Sequence, residues 1–183
     1  MKNNPVKILA AVGIGTVLFF VLGRFVAIPS PVPNTNISTQ YGLLAFMAAV
    51  FGPVVGCIIG LIGHVLIDAS YGRGIWWSWV IASAAFGLIA GFLYQGIELG
   101  EGKFTNRDRI RFNLYQAVAH VVAWGSIAPV LDILIYAEPV KKVFLQGLVA
   151  CITNIVTTAV IGTLLGVAYS TNRPKKDYPK EKD

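Results

Sequence analysis

Charged residues are scarce in this sequence. Only 13% of its 183 residues are Asp, Glu, Lys or Arg, and 55% are hydrophobic, whereas a typical soluble protein has about 25% charged residues. The charges cluster at the two ends and in a few short stretches, which leaves long apolar runs between them. This scarcity excludes an ordinary soluble domain and indicates a chain embedded in a membrane.

Cysteine is also scarce, and Cys57 and Cys151 both lie inside apolar runs. The sequence has no CxxC pair and no Cys/His cluster, so it predicts neither a disulfide framework nor a zinc site. A net charge of +6 could suggest nucleic acid. The basic residues do not form one face with interspersed aromatic rings, however, so we predict no nucleic-acid partner and assign them to membrane topology.

The apolar runs predict membrane-spanning helices, because a bilayer core of about 30 Å takes about 20 helical residues. Four runs have a suitable length: 7–28, 76–97, 111–134 and 142–169. The run 41–70 is longer and has Gly52-Pro53 in its middle, which is a turn signal because proline does not continue a helix comfortably. This run is either one long kinked helix or a hairpin of two shorter ones.

The distribution of basic residues favours the hairpin. With six spans, the termini and the loop 98–111 share one side of the membrane, and that side carries Lys2, Lys7, Lys103, Arg107, Arg109, Arg111, Arg173, Lys175, Lys176, Lys180 and Lys182. With five spans, the loop would move to the opposite side. Because basic loops stay in the cytoplasm, we predict an all-α, multi-pass cell-membrane protein with six transmembrane helices and both termini cytoplasmic. Residues 1–170 form its lipid-embedded domain, and residues 171–183 form a charged cytoplasmic tail.

Polar and aromatic side chains gather in the outer halves of these predicted helices. Polar groups at membrane depth are costly and usually mark a site or an interior network. Aromatic rings and neutral hydrogen-bonding groups together suit a small, flat, polar heterocycle. The candidate binding residues are His64, Asp68, Trp76, Trp79, His120, Trp124 and Asn154, together with Asn34, Asn36 and Gln40 in or next to the outer loop.

Each of these residues also has a structural interpretation. The tryptophans could form an interfacial aromatic belt, and Asp68 could pair with Arg24 or Arg73. His120 and Asn154 could form an interhelical hydrogen bond. The loop 29–40 contains alternating prolines that favour an extended polyproline conformation, and it is either a plain connector or a lid.

Several segments resemble the substrate-binding S components of energy-coupling factor (ECF) vitamin transporters, over essentially the whole chain. The similarity lies in the size, the six spans and the segments 11–15, 23–25, 31–36, 51–53, 60–64 and 76–83. The chain is most similar to the subgroup assigned to riboflavin, hydroxymethylpyrimidine or vitamin B6.

The resemblance implies a subunit that binds a vitamin and has no catalytic residues. It would dock on a transmembrane coupling subunit driven by two ATP-binding subunits. Such proteins carry an Ala-x-x-x-Ala docking motif on the first helix, and here Ala11 and Gly15 would take its place. The sequence has no GxxxxGK[ST] phosphate-binding motif, which agrees with ATP being used by the partners and not by this chain.

The sequence indicates the family more specifically than it indicates the substrate. Hydroxymethylpyrimidine and pyridoxine are the favoured ligands, and riboflavin and thiamine are alternatives of the same kind. Two other functional classes compete with vitamin capture: an intramembrane enzyme with a metal held by His64, Asp68 and His120, and a small-solute channel. The sequence shows no ring of charges and fixes no complete metal-ligand set.

Overall fold

A computed structural model describes residues 4–72 and 74–172 of the chain. Its helices are α1 (Pro5–Val21), α2 (Gln40–Phe51), α3 (Pro53–Tyr71), α4 (Trp77–Leu93), α5 (Asn106–Val122), α6 (Ala128–Tyr136) and α7 (Val140–Thr171). Arg73 and the basic residues of the predicted tail, from Arg173 onward, lie outside the described residues, as does Lys2. Over the described part the chain is a helical bundle, which confirms the predicted fold class.

Five helical segments are long and apolar enough to cross a membrane: Pro5–Val26, Pro53–Tyr71, Trp77–Gly96, Asn106–Tyr136 and Val140–Thr171. The remaining predicted span is α2. It has 12 residues, which at 1.5 Å per residue reach only about 18 Å. Nine of those residues are buried, so α2 lies inside the bundle, where other helices and not lipid surround it.

The turn between α2 and α3 forms at Gly52-Pro53, where the sequence predicts a hairpin. Gly52 has a φ of 93°, a conformation that glycine adopts at little cost. Pro53 is the first residue of α3, where its missing N–H leaves no hydrogen bond unmade. The hairpin is therefore confirmed, and local chain chemistry explains its position.

Glycines bring α3 and α4 into backbone contact. A methyl group on Gly56 would lie 2.7 Å from the carbonyl oxygen of Gly87, and one on Gly60 would lie 2.5 Å from that of Ser83. Small residues at four-residue spacing allow this close approach in membrane helices. The contact between Gly60 and Ser83 also brings the next turn of α3, which carries His64, next to α4.

We call the end of the bundle that carries residues 27–39 the outer end, following the orientation predicted from charge. A π-helical turn, Leu22–Val26, extends α1 to this end. A second π-helical turn, Ala123–Ile127, joins α5 to α6, directly before Pro129, whose nitrogen cannot donate to the helix. These turns place Arg24 and Trp124 at the outer half of the molecule.

Candidate functional site

A cavity of about 680 Å³ opens among the helices at the outer end. Nine of the ten residues predicted to bind a ligand line it: Asn34, Asn36, Gln40, His64, Asp68, Trp76, Trp79, Trp124 and Asn154. They come from the outer loop and from α2, α3, α4, α7 and the π-helical turn before α6. The structure thus brings together side chains separated by up to 120 positions.

A short hairpin covers the cavity. Strand β1 (Ile28–Pro29) pairs antiparallel with β2 (Asn36–Ile37), so the expected extended polyproline segment is instead folded back on itself. Asn34 takes a left-handed φ of 59° in the turn. The Gln146 side-chain amide donates to the Pro33 carbonyl at 2.8 Å. The Thr157 hydroxyl donates to the Ser38 carbonyl, also at 2.8 Å. These two bonds fasten the hairpin and the chain that follows it to α7.

Two tryptophans form one wall of the cavity and share an acceptor. The indole N–H of Trp76 donates to Asp132 Oδ1 at 2.6 Å, and that of Trp79 donates to Asp132 Oδ2 at 2.8 Å. The Ser78 hydroxyl donates to the same carboxylate. Trp76 also stacks on Tyr136, with ring centroids 4.2 Å apart. These bonds assign the two rings to the site, although Trp76 is also partly exposed, as a belt residue would be.

His120, the tenth predicted residue, lies behind the cavity and does not line it. Its Nδ1 accepts the indole N–H of Trp124 at 3.0 Å, and its Nε2 is 3.0 Å from the Thr158 hydroxyl. The imidazole also stacks on Phe86, with centroids 4.0 Å apart. His120 therefore orients Trp124, and the hydrogen bond expected between His120 and Asn154 is not formed.

A chain of hydrogen bonds links three helices at the cavity. The Ser83 hydroxyl lies 2.7 Å from the Tyr41 hydroxyl and 2.5 Å from His64 Nδ1. His64 Nε2 is 3.7 Å from Asp68 Oδ1. The other oxygen of Asp68 accepts the backbone N–H of Trp76 at 2.9 Å. Asp68 therefore connects α3 to the start of α4.

The expected ion pair between Asp68 and Arg24 is absent from the described chain. The Arg24 guanidinium lies over the Tyr71 ring, 4.4 Å from its centroid, and near the Phe25 ring at 5.4 Å. An aromatic face can hold a cation in this way without a carboxylate. Arg73, the other proposed partner, lies outside the described residues.

Two buried amides that line the cavity have an unused carbonyl oxygen. Gln40 is 5% exposed and Asn154 is 2% exposed. Neither Gln40 Oε1 nor Asn154 Oδ1 has a hydrogen-bond partner. A buried acceptor without a partner costs about 1–3 kcal/mol, and a small local movement that exposes it to the cavity would let water or a ligand satisfy it.

The structure gives no support to the metal-enzyme interpretation. Among the described residues, no three His, Cys, Asp or Glu side chains are placed to hold a metal ion. His64 and Asp68 are neighbours, but His120 bonds to Trp124 and Thr158 instead of joining them.

The predicted docking pair on α1 faces other helices of this chain. Ala11 and Gly15 are both buried, and a methyl group on Gly15 would lie 2.5 Å from the Ile59 side chain. Both residues are thus packed inside this chain, and their assignment to a partner surface stays a prediction. On the opposite side of the helix, Gly13 has nothing within 4 Å of the position of a methyl group, and Ile14 is 61% exposed.

Sequence reasoning omitted several residues that belong to the site. Tyr41, Asp132 and Gln146 line the cavity. Asp132 carries a detectable signal, because a carboxylate inside a membrane helix is rare and usually functional. Tyr41 carries none, since an aromatic residue in an apolar helix has the same appearance in sequence whether it packs in the core or lines a cavity.

Comparison with known proteins agrees with this architecture. Residues 3–171 match the family described as ECF-type riboflavin transporter, S component. This chain belongs to that family. The match covers nearly the whole chain, so the resemblance inferred from the sequence is confirmed, and the protein is a multi-pass membrane protein of a transport system. The family consists of transporter subunits and not of enzymes.

Close relatives carry only a provisional family name. A UPF0397 protein of Enterococcus faecalis is 53% identical over 175 residues, which are 96% of each chain. Another, from Staphylococcus aureus, is 44% identical over 181 residues, covering 99% of this chain and 98% of that one. Among solved structures, the S component for biotin from an ECF-type ABC transporter superposes with a TM-score of 0.62. It covers 90% of this chain and 93% of its own at 19% identity, and it supports the fold alone.

Proposed function

We propose that this S component captures a flat, nitrogen-containing vitamin or vitamin precursor from outside the cell for ATP-driven uptake. The observation that carries the proposal is a cavity walled by aromatic rings and lined by side-chain amides, among them the buried residues Gln40 and Asn154. Rings supply stacking area and the amides supply orientation. A channel has no need of buried, unpaired acceptors beneath a covering hairpin.

Single-ring ligands are the favoured substrates within this class. Hydroxymethylpyrimidine and pyridoxine each have one six-membered ring with substituents that form hydrogen bonds, which suits a cavity lined by side-chain amides and a stacking wall. A cavity of about 680 Å³ lies in the range of pockets for drug-sized molecules, roughly 300–1,000 Å³. Because a cavity of this size is not limited to single-ring compounds, riboflavin and thiamine are the alternatives.

ATP hydrolysis belongs to other subunits in this proposal. The sequence lacks a GxxxxGK[ST] motif, so the chain has no conventional phosphate-binding loop of its own. We propose that it assembles with a transmembrane coupling subunit and two ATP-binding subunits. The exposed side of α1, on which Gly13 and Ile14 lie, is a more suitable contact surface than the buried pair Ala11 and Gly15.

The experiment that tests capture is direct identification of the ligand. The full-length chain is purified in mild detergent, and the small molecules released on denaturation are identified by mass spectrometry. We expect close to one vitamin-class heterocycle per chain, and re-addition of that compound should change the tryptophan fluorescence. If no such compound is retained and none of the four named vitamins or precursors binds, the proposal fails.

A further inference from the structure

The indole N–H groups around the cavity are already used within the protein. Trp76 and Trp79 donate to Asp132, and Trp124 donates to His120. An indole nitrogen has a single N–H. An anionic ligand therefore cannot take a hydrogen bond from these rings without breaking an internal one.

Asp68 has an open acceptor oxygen at the cavity. Gln40 Oε1 and Asn154 Oδ1 have no partner. Asp68 uses Oδ2 for the backbone of Trp76, whereas its Oδ1 is 3.7 Å from His64 Nε2, beyond hydrogen-bond distance. An amide oxygen or a carboxylate oxygen can accept from a ligand N–H, and a carboxylate forms the stronger bond when the donor is charged.

The charged groups that line the cavity also favour a ligand that donates hydrogen bonds or carries positive charge. Among the described residues, three carboxylates line the cavity, from Asp68, Asp132 and Glu138, and one ammonium does, from Lys142. The Lys142 ammonium is 2.7 Å from a carboxylate oxygen of Glu138, which neutralises it locally. Asp132 accepts from three donors and Glu138 is paired with Lys142. Among the described lining residues, Asp68 is therefore the carboxylate with neither a lysine or arginine nor several donors beside it.

We propose that the cavity selects a heterocycle bearing an amino, ammonium or cationic ring nitrogen, that it rejects carboxylate ligands, and that Asp68 determines this choice. The inference rests on the proposed capture function and narrows its substrate class. A carboxylate on the ligand would meet the like charge of Asp68 and of a lining in which carboxylates outnumber ammonium groups. A cationic or amino-substituted ring instead pairs with Asp68 and stacks on the tryptophans, whose faces attract positive charge.

Matched ligands test the charge preference on the purified full-length chain by isothermal titration calorimetry. One pair is 4-amino-5-hydroxymethyl-2-methylpyrimidine and the corresponding 5-carboxylate. The second pair is pyridoxamine and 4-pyridoxate. Three further compounds are titrated. Thiamine carries a fixed positive charge, riboflavin has an uncharged ring system, and biotin is a carboxylate with an unrelated ring. We expect an amino or cationic compound to bind, and a carboxylate of the same ring to bind at least tenfold more weakly.

Two variants locate the effect. Asp68→Asn keeps the shape of the side chain and should weaken the preferred amino or cationic ligand about tenfold to hundredfold, the range of a charge-assisted hydrogen bond. Glu98→Gln removes a carboxylate on the exposed 3₁₀ turn Glu98–Glu101 at the inner end, and it should leave affinity unchanged. Thermal unfolding of both variants shows that they are folded.

The outcomes separate this inference from the proposed function. Equal or tighter binding of the carboxylate members, binding of riboflavin alone, or full affinity in Asp68→Asn would overturn the charge preference while leaving vitamin capture in place. If none of the seven compounds binds, and pyridoxine does not bind either, capture and charge preference both fail. If pyridoxine alone binds, capture stands and the charge preference fails.

Discussion

Trp79 donates its indole N–H to Asp132 Oδ2 at 2.8 Å, which links α4 to α6 at the wall of the cavity. The carboxylate is only 2% exposed, and it also accepts from Trp76 and Ser78. A charged acceptor with several donors is among the stronger hydrogen-bond arrangements in a protein interior. Asp132 therefore holds the two rings in the orientation that a stacking ligand requires.

Replacing Asp132 should destabilise the protein and weaken ligand binding together. Asp132→Ala leaves three donors without an acceptor, at about 1–3 kcal/mol for each one that stays buried. Asp132→Asn keeps one acceptor oxygen and should have a smaller effect. Thermal unfolding and ligand titration measure the two effects, with Glu98→Gln as the control. Wild-type stability in Asp132→Ala would show that the rings are held by packing alone.

Asn154→Ala and His120→Ala should separate affinity from stability. Asn154 borders the cavity with an unpaired oxygen, so its removal should weaken binding about tenfold to hundredfold and leave the ligand-free protein as stable as before. His120 is bonded to Trp124 and Thr158 behind the cavity. Its removal should lower the melting temperature and weaken binding only through Trp124.

A double-mutant cycle checks the indirect role of His120. In the Trp124→Phe background, which lacks the indole N–H, His120→Ala should cost less affinity than it does alone, since coupled neighbours are not additive. Additive effects on affinity would mean that His120 acts on the ligand by another route.

Gly15→Leu and Gly13→Leu should differ in stability although they lie on the same helix. A side chain at Gly15 would meet Ile59 at 2.5 Å, whereas nothing lies within 4 Å at Gly13. Overpacking of this kind costs about 1–3 kcal/mol, so Gly15→Leu should lower the melting temperature of the isolated chain. Gly13→Leu should keep it but reduce co-purification with the coupling subunit. Normal assembly of Gly13→Leu would place the contact elsewhere.

Loosening the hairpin should speed ligand release. Thr157→Val removes the hydroxyl that bonds to the Ser38 carbonyl, and Gln146→Leu removes the amide that bonds to the Pro33 carbonyl. Each change removes one tether of the covering segment, so dissociation rates from stopped-flow fluorescence should rise several-fold, and further in the double variant. Thr153→Val is the control, because its hydroxyl bonds only within α7. Unchanged rates would show that the hairpin does not limit release.

Labelling of single cysteines tests the orientation of the chain. In a background with Cys57→Ala and Cys151→Ala, Asn36→Cys should react with an impermeant maleimide added to intact cells. Asn106→Cys should react only after the membrane is opened, because the basic loop before α5 is expected inside. The reverse pattern would contradict the six-span orientation.

Local chemistry in the sequence determined the helical segments. Bilayer-length apolar runs predicted four of them within about five residues at either end. Gly52-Pro53 predicted the hairpin between α2 and α3, because hydropathy and proline act locally on the chain. The outer-half cluster was also predictable. Burying polar groups in lipid is costly enough that their positions along the spans show where a cavity must be.

The rotation and partners of individual side chains were decided only by tertiary packing. Each residue turns the helix by about 100°, and α1 is apolar on every side, so its sequence could not show that Gly15 faces Ile59 while Gly13 faces outward. His120 pairs with Trp124 and Thr158, not with Asn154, because the approach of α5 to α7 sets those distances. Asp132 holds Trp76 and Trp79 across more than 50 residues of sequence, and such a contact exists only once the helices have packed.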